Sequence, residues 1–250
     1  MLKTILLDDN TVRYHQKIIS KIETELKFLP KSFWKTSPII SGSYAINLLF
    51  KPNAEYNDVD FYFENQNKFL RAKKILEKKS LKKIESKNCV VFKTKDRELE
   101  IQLIKKEFLP AKQLIYKHDF KNASIAIQDG NIFIDDELFE LYNEGFLSIR
   151  STQIVDGMSE AQKLTKIGNL LNRVAKYMAR YELILDKKSV SILKKLSVFL
   201  KTIPTKRKRK TLIKTSIYYD NRHNPNQLNL RSFLEIELFL EELLNENQMS

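Results

Sequence analysis

Two carboxylates one residue apart, Asp58 and Asp60, stand in the run Asp58-Val59-Asp60-Phe61-Tyr62-Phe63, a strand by its aromatic and β-branched composition. Strand residues i and i+2 point to the same side, so both acids face one way. Two carboxylates that close repel each other unless a cation lies between them. Oxygen donors of this kind suit hard divalent ions, and Mg²⁺ takes one or two carboxylates together with substrate phosphates. A third acid on a neighbouring strand would admit two ions ~3.5–4 Å apart, the clamp used for in-line phosphoryl transfer. Glu100 is the first candidate, because it alternates with apolar residues in Leu99-Glu100-Ile101-Gln102-Leu103-Ile104. Glu98 and Gln102 share its face, and Asp119 in Lys117-His118-Asp119-Phe120 competes with it, so the third position stays open.

Upstream, Gly42-Ser43 falls between the apolar Pro38-Ile39-Ile40 and a short helical run from Tyr44 to Phe50. A glycine at a strand–helix junction lets backbone approach a ligand closely. Ser43 opens the helix, where backbone N–H groups and the helix dipole favour a phosphate. An ordinary helix cap would use the same two residues.

These residues need a sheet to hold them. Residues 12–28 place Val12, Ile18, Ile19, Ile22 and Leu26 at helical spacing, and Pro30 ends that helix. Pro38 to Ile40 reads as a short strand, and Pro52 stops the helix at 44–50. Residues 66–79 form a lysine-faced helix with Phe69, Ala72 and Leu76 inward. Strands Cys89 to Thr94 and Glu98 to Ile104 flank a turn at Asp96-Arg97. A second hairpin joins Ala123–Ile127 to Ile132–Ile134 through Asp129-Gly130-Asn131. From about residue 136 the pattern is helical. The fold class expected is α+β, a mixed sheet flanked by helices over residues 1–150, followed by an all-helical domain over 151–250.

Composition narrows the function. The 250 residues carry 44 Lys plus Arg against 31 Asp plus Glu, a formal net charge of +13. That excess favours a polyanionic partner: nucleic acid, nucleotide or anionic membrane. Eleven Lys or Arg and no acid lie in 187–214, whereas 231–250 hold five Glu and one Arg, so the acidic helix is expected to lie near the basic segment. The single cysteine, Cys89, excludes an internal disulfide framework and reads as a buried strand hydrophobe. Three scattered histidines, His15, His118 and His223, make no zinc site. The start, MLKTILLDDN, is too short in apolar residues for a leader, and no run approaches a membrane span. A cytoplasmic setting and no membrane partner follow as expectations.

The order hydrophobic-Gly42-Ser43, a fourteen-residue spacer, Asp58-Val59-Asp60 and a later strand acid resembles the polymerase-β-like nucleotidyltransferase superfamily. The likeness covers roughly residues 12–150. Farther on, Arg173-Val174-Ala175-Lys176-Tyr177-Met178-Ala179-Arg180-Tyr181 looks like the helix after the catalytic domain in poly(A)-polymerase-like and CCA-adding-like enzymes. The resemblance implies two Mg²⁺ (or Mn²⁺) ions, an NTP donor and a hydroxyl acceptor. It assigns Asp58, Asp60 and Glu100 to metal and catalysis, and Gly42 and Ser43 to the phosphates. Arg173 and Lys176, three apart on one helix face, either reach the triphosphate or form a solvated basic face.

Lys206, Arg207, Lys208, Arg209 and Lys210 form a five-cation stretch suited to nucleic-acid phosphates, or a charged loop only. The function expected is NMP transfer from an NTP to a hydroxyl, with RNA the favoured acceptor. The alternatives are a catalytically inactive nucleic-acid-binding module of the same fold, or a toxin or defence nucleotidyltransferase acting on tRNA or protein.

Overall fold

The computed structural model describes residues 9–54, 56–79, 82–93, 99–152, 154, 156–203 and 233–246. They divide into two units, one of residues 1–118 and 122–138, the other of residues 119–121 and 139–250.

The first unit is built on a seven-stranded mixed sheet. Its strands are β1 (Ile39–Ser41), β2 (Asp58–Phe63), β3 (Lys82–Glu85), β4 (Cys89–Lys93), β5 (Glu100–Phe108), β6 (Ile125–Gln128) and β7 (Asn131–Ile134). Their order across the sheet is β3-β4-β5-β2-β1-β6-β7. Only β2 and β5 run parallel among these neighbours; the other pairs are antiparallel. Helices α1 (Asp9–Glu25), α2 (Lys31–Trp34), α3 (Ser43–Phe50), α4 (Gln66–Glu77) and α5 (Ala111–Leu114) belong to the same unit. The expected mixed sheet with flanking helices is therefore present.

Alternation in β2 sorts the two faces. Val59, Phe61 and Phe63 are fully buried. Phe61 meets Phe33 and Trp34 of α2 edge-on, and Phe63 meets Phe69 of α4. Asp58, Asp60 and Tyr62 take the other face and are half-buried. On that face Ile39 and Ala126 pack with Ala111, Leu114 and Ile115, against Tyr62 and Phe133. One end of the face is thus apolar and helix-covered, and the other carries acids.

Several boundaries differ from the sequence expectation. The first helix ends at Glu25, and Pro30 instead caps a four-residue helix. The fifth strand runs on to Phe108, past a register shift between Phe61 and Phe63. Strand β3 was not expected, because Lys-Lys-Ile-Glu holds a single apolar residue. The turn at Asp96-Arg97 and Glu98 lie outside the described residues. The Asp129-Gly130 turn has positive φ at both residues, 48° and 78°, which fits the twist of a two-residue hairpin.

The second unit is mainly helical. Helix α7 (Glu160–Tyr181) starts in a capping box, Ser159 with Gln162, and ends at Glu182 in a left-handed conformation. Asp186 caps α8 (Lys187–Lys201) by accepting from the Ser189 N–H at 2.6 Å. Helix α9 (Phe233–Glu246) packs on α7 and α8. Lys201 and Glu241 stand 3.7 Å apart, so the acidic helix does lie beside part of the basic segment. A short parallel pair, β8 (Phe146–Leu147) with β9 (Ile184–Leu185), joins the two ends of α7's neighbourhood. Helix α6 (Leu138–Asn143) precedes β8. No helix among the described residues is long and apolar enough to cross a membrane.

Candidate active site

The site grows from the strand–helix junction at Gly42. Gly42 adopts φ 81° and ψ −158°, a region open to glycine alone, and caps α3. A Cβ built there would lie 2.6 Å from Asp60 Oδ2. Main chain and carboxylate therefore meet with no room for a side chain between them. Ser43, the first residue of α3, donates its hydroxyl to Asp58 Oδ1 at 3.4 Å. The first N–H groups of any α-helix lack intrahelical acceptors, so donors and acids converge at one point.

Tyr44 fixes this helix start. Its hydroxyl donates to Glu25 at 2.8 Å, and its ring meets Tyr56 edge-on at 4.6 Å. The phenol is 1% exposed, and burial, then the Glu25 carboxylate, pushes it far above its usual range. It is a neutral anchor that ties α3 to α1 and to the approach of β2.

Register sets which residues cross the sheet beside the two aspartates. Asp60 lies between Ser41 of β1 and Gln102 of β5, and Gln102 pairs on with Val91 of β4. Asp58 lies beside Glu100, which pairs on with Lys93. Gln102 Nε2 donates to Asp58 Oδ2 at 3.4 Å. Glu100 Oε1 is 2.6 Å from Lys93 Nζ. Among the described residues no three His, Cys, Asp or Glu are grouped so as to hold a metal ion. The sheet brings Asp58, Asp60, Gly42 and Ser43 together, with Glu100 in the next strand and paired to a lysine.

Ser41, fully buried, donates its hydroxyl to the Ile125 carbonyl at 2.6 Å and stands 2.9 Å from His118 Nε2. A hydroxyl has one proton to give. Ser41 must therefore accept from His118, which carries its proton on Nε2. His118 also meets Tyr62 edge-on. The histidine without a metal-ligand partner in the sequence is thus a hydrogen-bond donor to the register partner of Asp60.

The other expected site residues belong to the second unit or lie outside the described residues. Asp119, its side chain 1% exposed, pairs with the Arg173 guanidinium, which also lies over the Phe120 ring. Phe120 stacks on Tyr177 at 5.0 Å. Asp119 is therefore engaged within the second unit and is not a sheet residue. Lys176 lies half-buried on the same helix, α7. Lys206, Arg207, Lys208, Arg209 and Lys210 lie outside the described residues.

Sequence reasoning missed Lys93, Ser41 and His118. For Lys93 a signal existed, since a hairpin centred between residues 96 and 97 sets Lys93 opposite Glu100. For His118 none existed, because its partner is 77 residues away.

The donor set suits one hard divalent ion. It offers two same-face carboxylates beside a helix start, the arrangement in which Mg²⁺ shares its shell with phosphates. At Gly42 any larger residue would collide with the Asp60 carboxylate.

Comparisons with known proteins bear on the fold. A chain solved as the Thermotoga maritima CCA-adding enzyme complexed with tRNA is similar at TM-score 0.54 and 17% identity, over 77% of this chain and 46% of that one. A tRNA nucleotidyltransferase complexed with a primer tRNA and an incoming ATP analog is similar at TM-score 0.52 and 15% identity, over 92% and 60%. A CCA-adding enzyme solved with ATP gives TM-score 0.51 and 17% identity, over 80% and 46%. The chain spans about half the length of these proteins. Such likeness establishes a nucleotidyltransferase-like fold. A family model described as Gabija anti-defense 2 family protein matches residues 11–144. No curated protein matches the sequence.

Proposed function

Because this chain belongs to the Gabija anti-defense 2 family and has a nucleotidyltransferase-like fold, we propose that it transfers NMP from an NTP to a hydroxyl acceptor. The observation that carries this reading is the contact of Gly42 with Asp60, which sets a carboxylate pair against a helix start. Gly42 and the first N–H groups of α3 bind the β- and γ-phosphates, and the Ser43 hydroxyl orients Asp58. Asp58 and Asp60 hold the divalent ion, which when bound neutralises charge on the phosphates and polarises the reacting phosphorus centre. His118, through Ser41, holds the strand opposite Asp60 in place. Arg173, engaged by Asp119, and Lys176 take no part in this reading.

In the reaction, the acceptor oxygen forms a bond to the α-phosphorus, and the bond from that phosphorus to the α,β-bridging oxygen breaks. Pyrophosphate leaves with the electron pair, and the hydroxyl proton passes to solvent. RNA is the acceptor that the +13 charge and the tRNA-bound structural neighbours support. The family match favours a second reading, in which the acceptor is a hydroxyl on a component of the Gabija defence.

The test incubates the protein with each α-labelled NTP, total RNA and the Gabija proteins, with Mg²⁺. Label moving to RNA or to protein identifies the acceptor. Asp60→Asn should abolish transfer, because it removes one of two anionic ligands. The variant should fold as well as the parent, or slightly better, since it relieves carboxylate repulsion. Full transfer by Asp60→Asn with unchanged metal dependence refutes the assignment. No transfer with any NTP leaves the silent binding module as the reading.

A further inference from the structure

The resemblance carries a two-ion site, whereas the side chains around the aspartates describe a different one. We infer that the Asp58–Asp60 face takes a single divalent ion, and that Lys93 and Gln102 stand where a second ion would need acids. This rests on the nucleotidyltransferase reading and specifies its metal chemistry.

Three observations carry it. The first is register. Asp58, Glu100 and Lys93 lie in one row across β2, β5 and β4, and Asp60, Gln102 and Val91 lie in the next. The residue beside Asp60 on the parallel strand is therefore an amide. The second is pairing. Glu100 Oε1 is 2.6 Å from Lys93 Nζ, so its carboxylate is drawn toward β4, the strand on the far side from Asp58. The Lys93 and Glu100 side chains are 37% and 21% exposed, so the pair sits where bulk water screens it only in part. The third is polarity. Gln102 turns an N–H, not a carbonyl, toward Asp58. An amide brings no negative charge for a second ion, whichever of its two atoms faces the carboxylate.

Charge decides between one ion and two. Before nucleotide binds, Asp58, Asp60 and Glu100 carry three negative charges and Lys93 returns one positive, so one divalent ion balances the side chains. A second ion would have to displace the lysine from Glu100 and then sit beside its ammonium. Like charges at that separation repel, and the repulsion doubles for a dication. Among the described residues no third acid, histidine or cysteine joins the two aspartates to compensate. Lys93 thus supplies in fixed form the positive charge that a second ion would bring.

The test counts ions directly. Crystals of the full chain are grown with MnCl₂ and each of four non-hydrolysable NTP analogues, and anomalous difference maps locate Mn²⁺. One peak between Asp58 and Asp60 is expected. Two peaks in the parent protein overturn the single-ion inference and leave nucleotidyl transfer standing. No peak with any analogue overturns the nucleotidyltransferase reading beneath it. The double variant Lys93→Met, Gln102→Glu should gain a second peak, with its melting temperature recorded to show that it folds. One peak in both proteins overturns the roles given to Lys93 and Gln102.

Discussion

At Gly42 the backbone holds φ 81° and ψ −158° with Asp60 Oδ2 2.6 Å from where a Cβ would be. Replacing Gly42 by Ala brings two penalties, a conformation that L-residues avoid and a collision with a carboxylate. The first alone costs about 1–3 kcal/mol. Gly42→Ala should therefore lower stability by at least that amount in denaturant titrations and lose transfer as Asp60 shifts. Gly130→Ala, at φ 78° with nothing within 4 Å of its Cβ, is the control. It should cost stability and keep transfer. Residue types alone revealed the two aspartates and the Gly-Ser pair, because a two-residue strand period and a junction glycine are local facts. They did not reveal which aspartate each of Glu100 and Gln102 stands beside, since both share one face. The parallel pairing of β2 with β5 decides that, and it joins segments 42 residues apart, Asp58 with Glu100 and Asp60 with Gln102. His118 was hidden because its partner, Ser41, lies 77 residues away in the chain, whereas Lys93 was legible from the hairpin that sets it opposite Glu100.

Among the elements, β3 shows how a strand can escape the pattern. It is an edge strand, and Lys82, Lys83 and Glu85 leave little apolar alternation to read. Charged edges discourage pairing with other chains. Here they also build a cluster, with Lys73, Lys83 and Lys105 all within 3.1 Å of the Glu85 carboxylate. Hydrogen bonds from Lys105, Lys73 and Lys83, in that order, hold the Glu85 carboxyl at about 2. An unfolded glutamate titrates near ~4.3. The folded value is lower, so this contribution is full above that point and is lost as pH falls toward about 2. Melting curves of the parent and of Glu85→Gln should differ slightly at pH 5 and converge near pH 2. Helix α7 carries a larger effect in the second unit, where Arg173 pairs with the buried Asp119. Arg173→Met removes that carboxylate's guanidinium partner, and with the arginine 31% exposed the cost should fall below the about 3–5 kcal/mol of a fully buried pair. Adding Asp119→Asn should recover much of the loss, and a double-mutant cycle measures the coupling. The capping box at Ser159 and Gln162 that starts α7 is a local feature, whereas nothing local marked Asp119 as the partner of a residue 54 positions on.

Over the whole molecule the net charge of +13 is the property that any acceptor meets first. If Lys206, Arg207, Lys208, Arg209 and Lys210 contact single-stranded RNA, each phosphate contact contributes about 0.7 to the log–log salt slope. Replacing all five by Gln should weaken RNA binding at low salt and reduce that slope by up to about 3.5. NTP binding should be unchanged. An unaltered slope in titrations at several ionic strengths refutes the contact. The division into two units has a separate consequence for how such a gene can be edited. Residues 119–121 belong to the helical unit, yet the chain then returns to the sheet for β6 and β7 before leaving again at 138. Truncation at 118 removes the strand that pairs with β1, whereas truncation at 138 separates Phe120 from its bridge to Ile149. Neither unit corresponds to one uninterrupted stretch of coding sequence. A single crossover therefore cannot exchange residues 139–250 together with 119–121 without carrying β6 and β7 along.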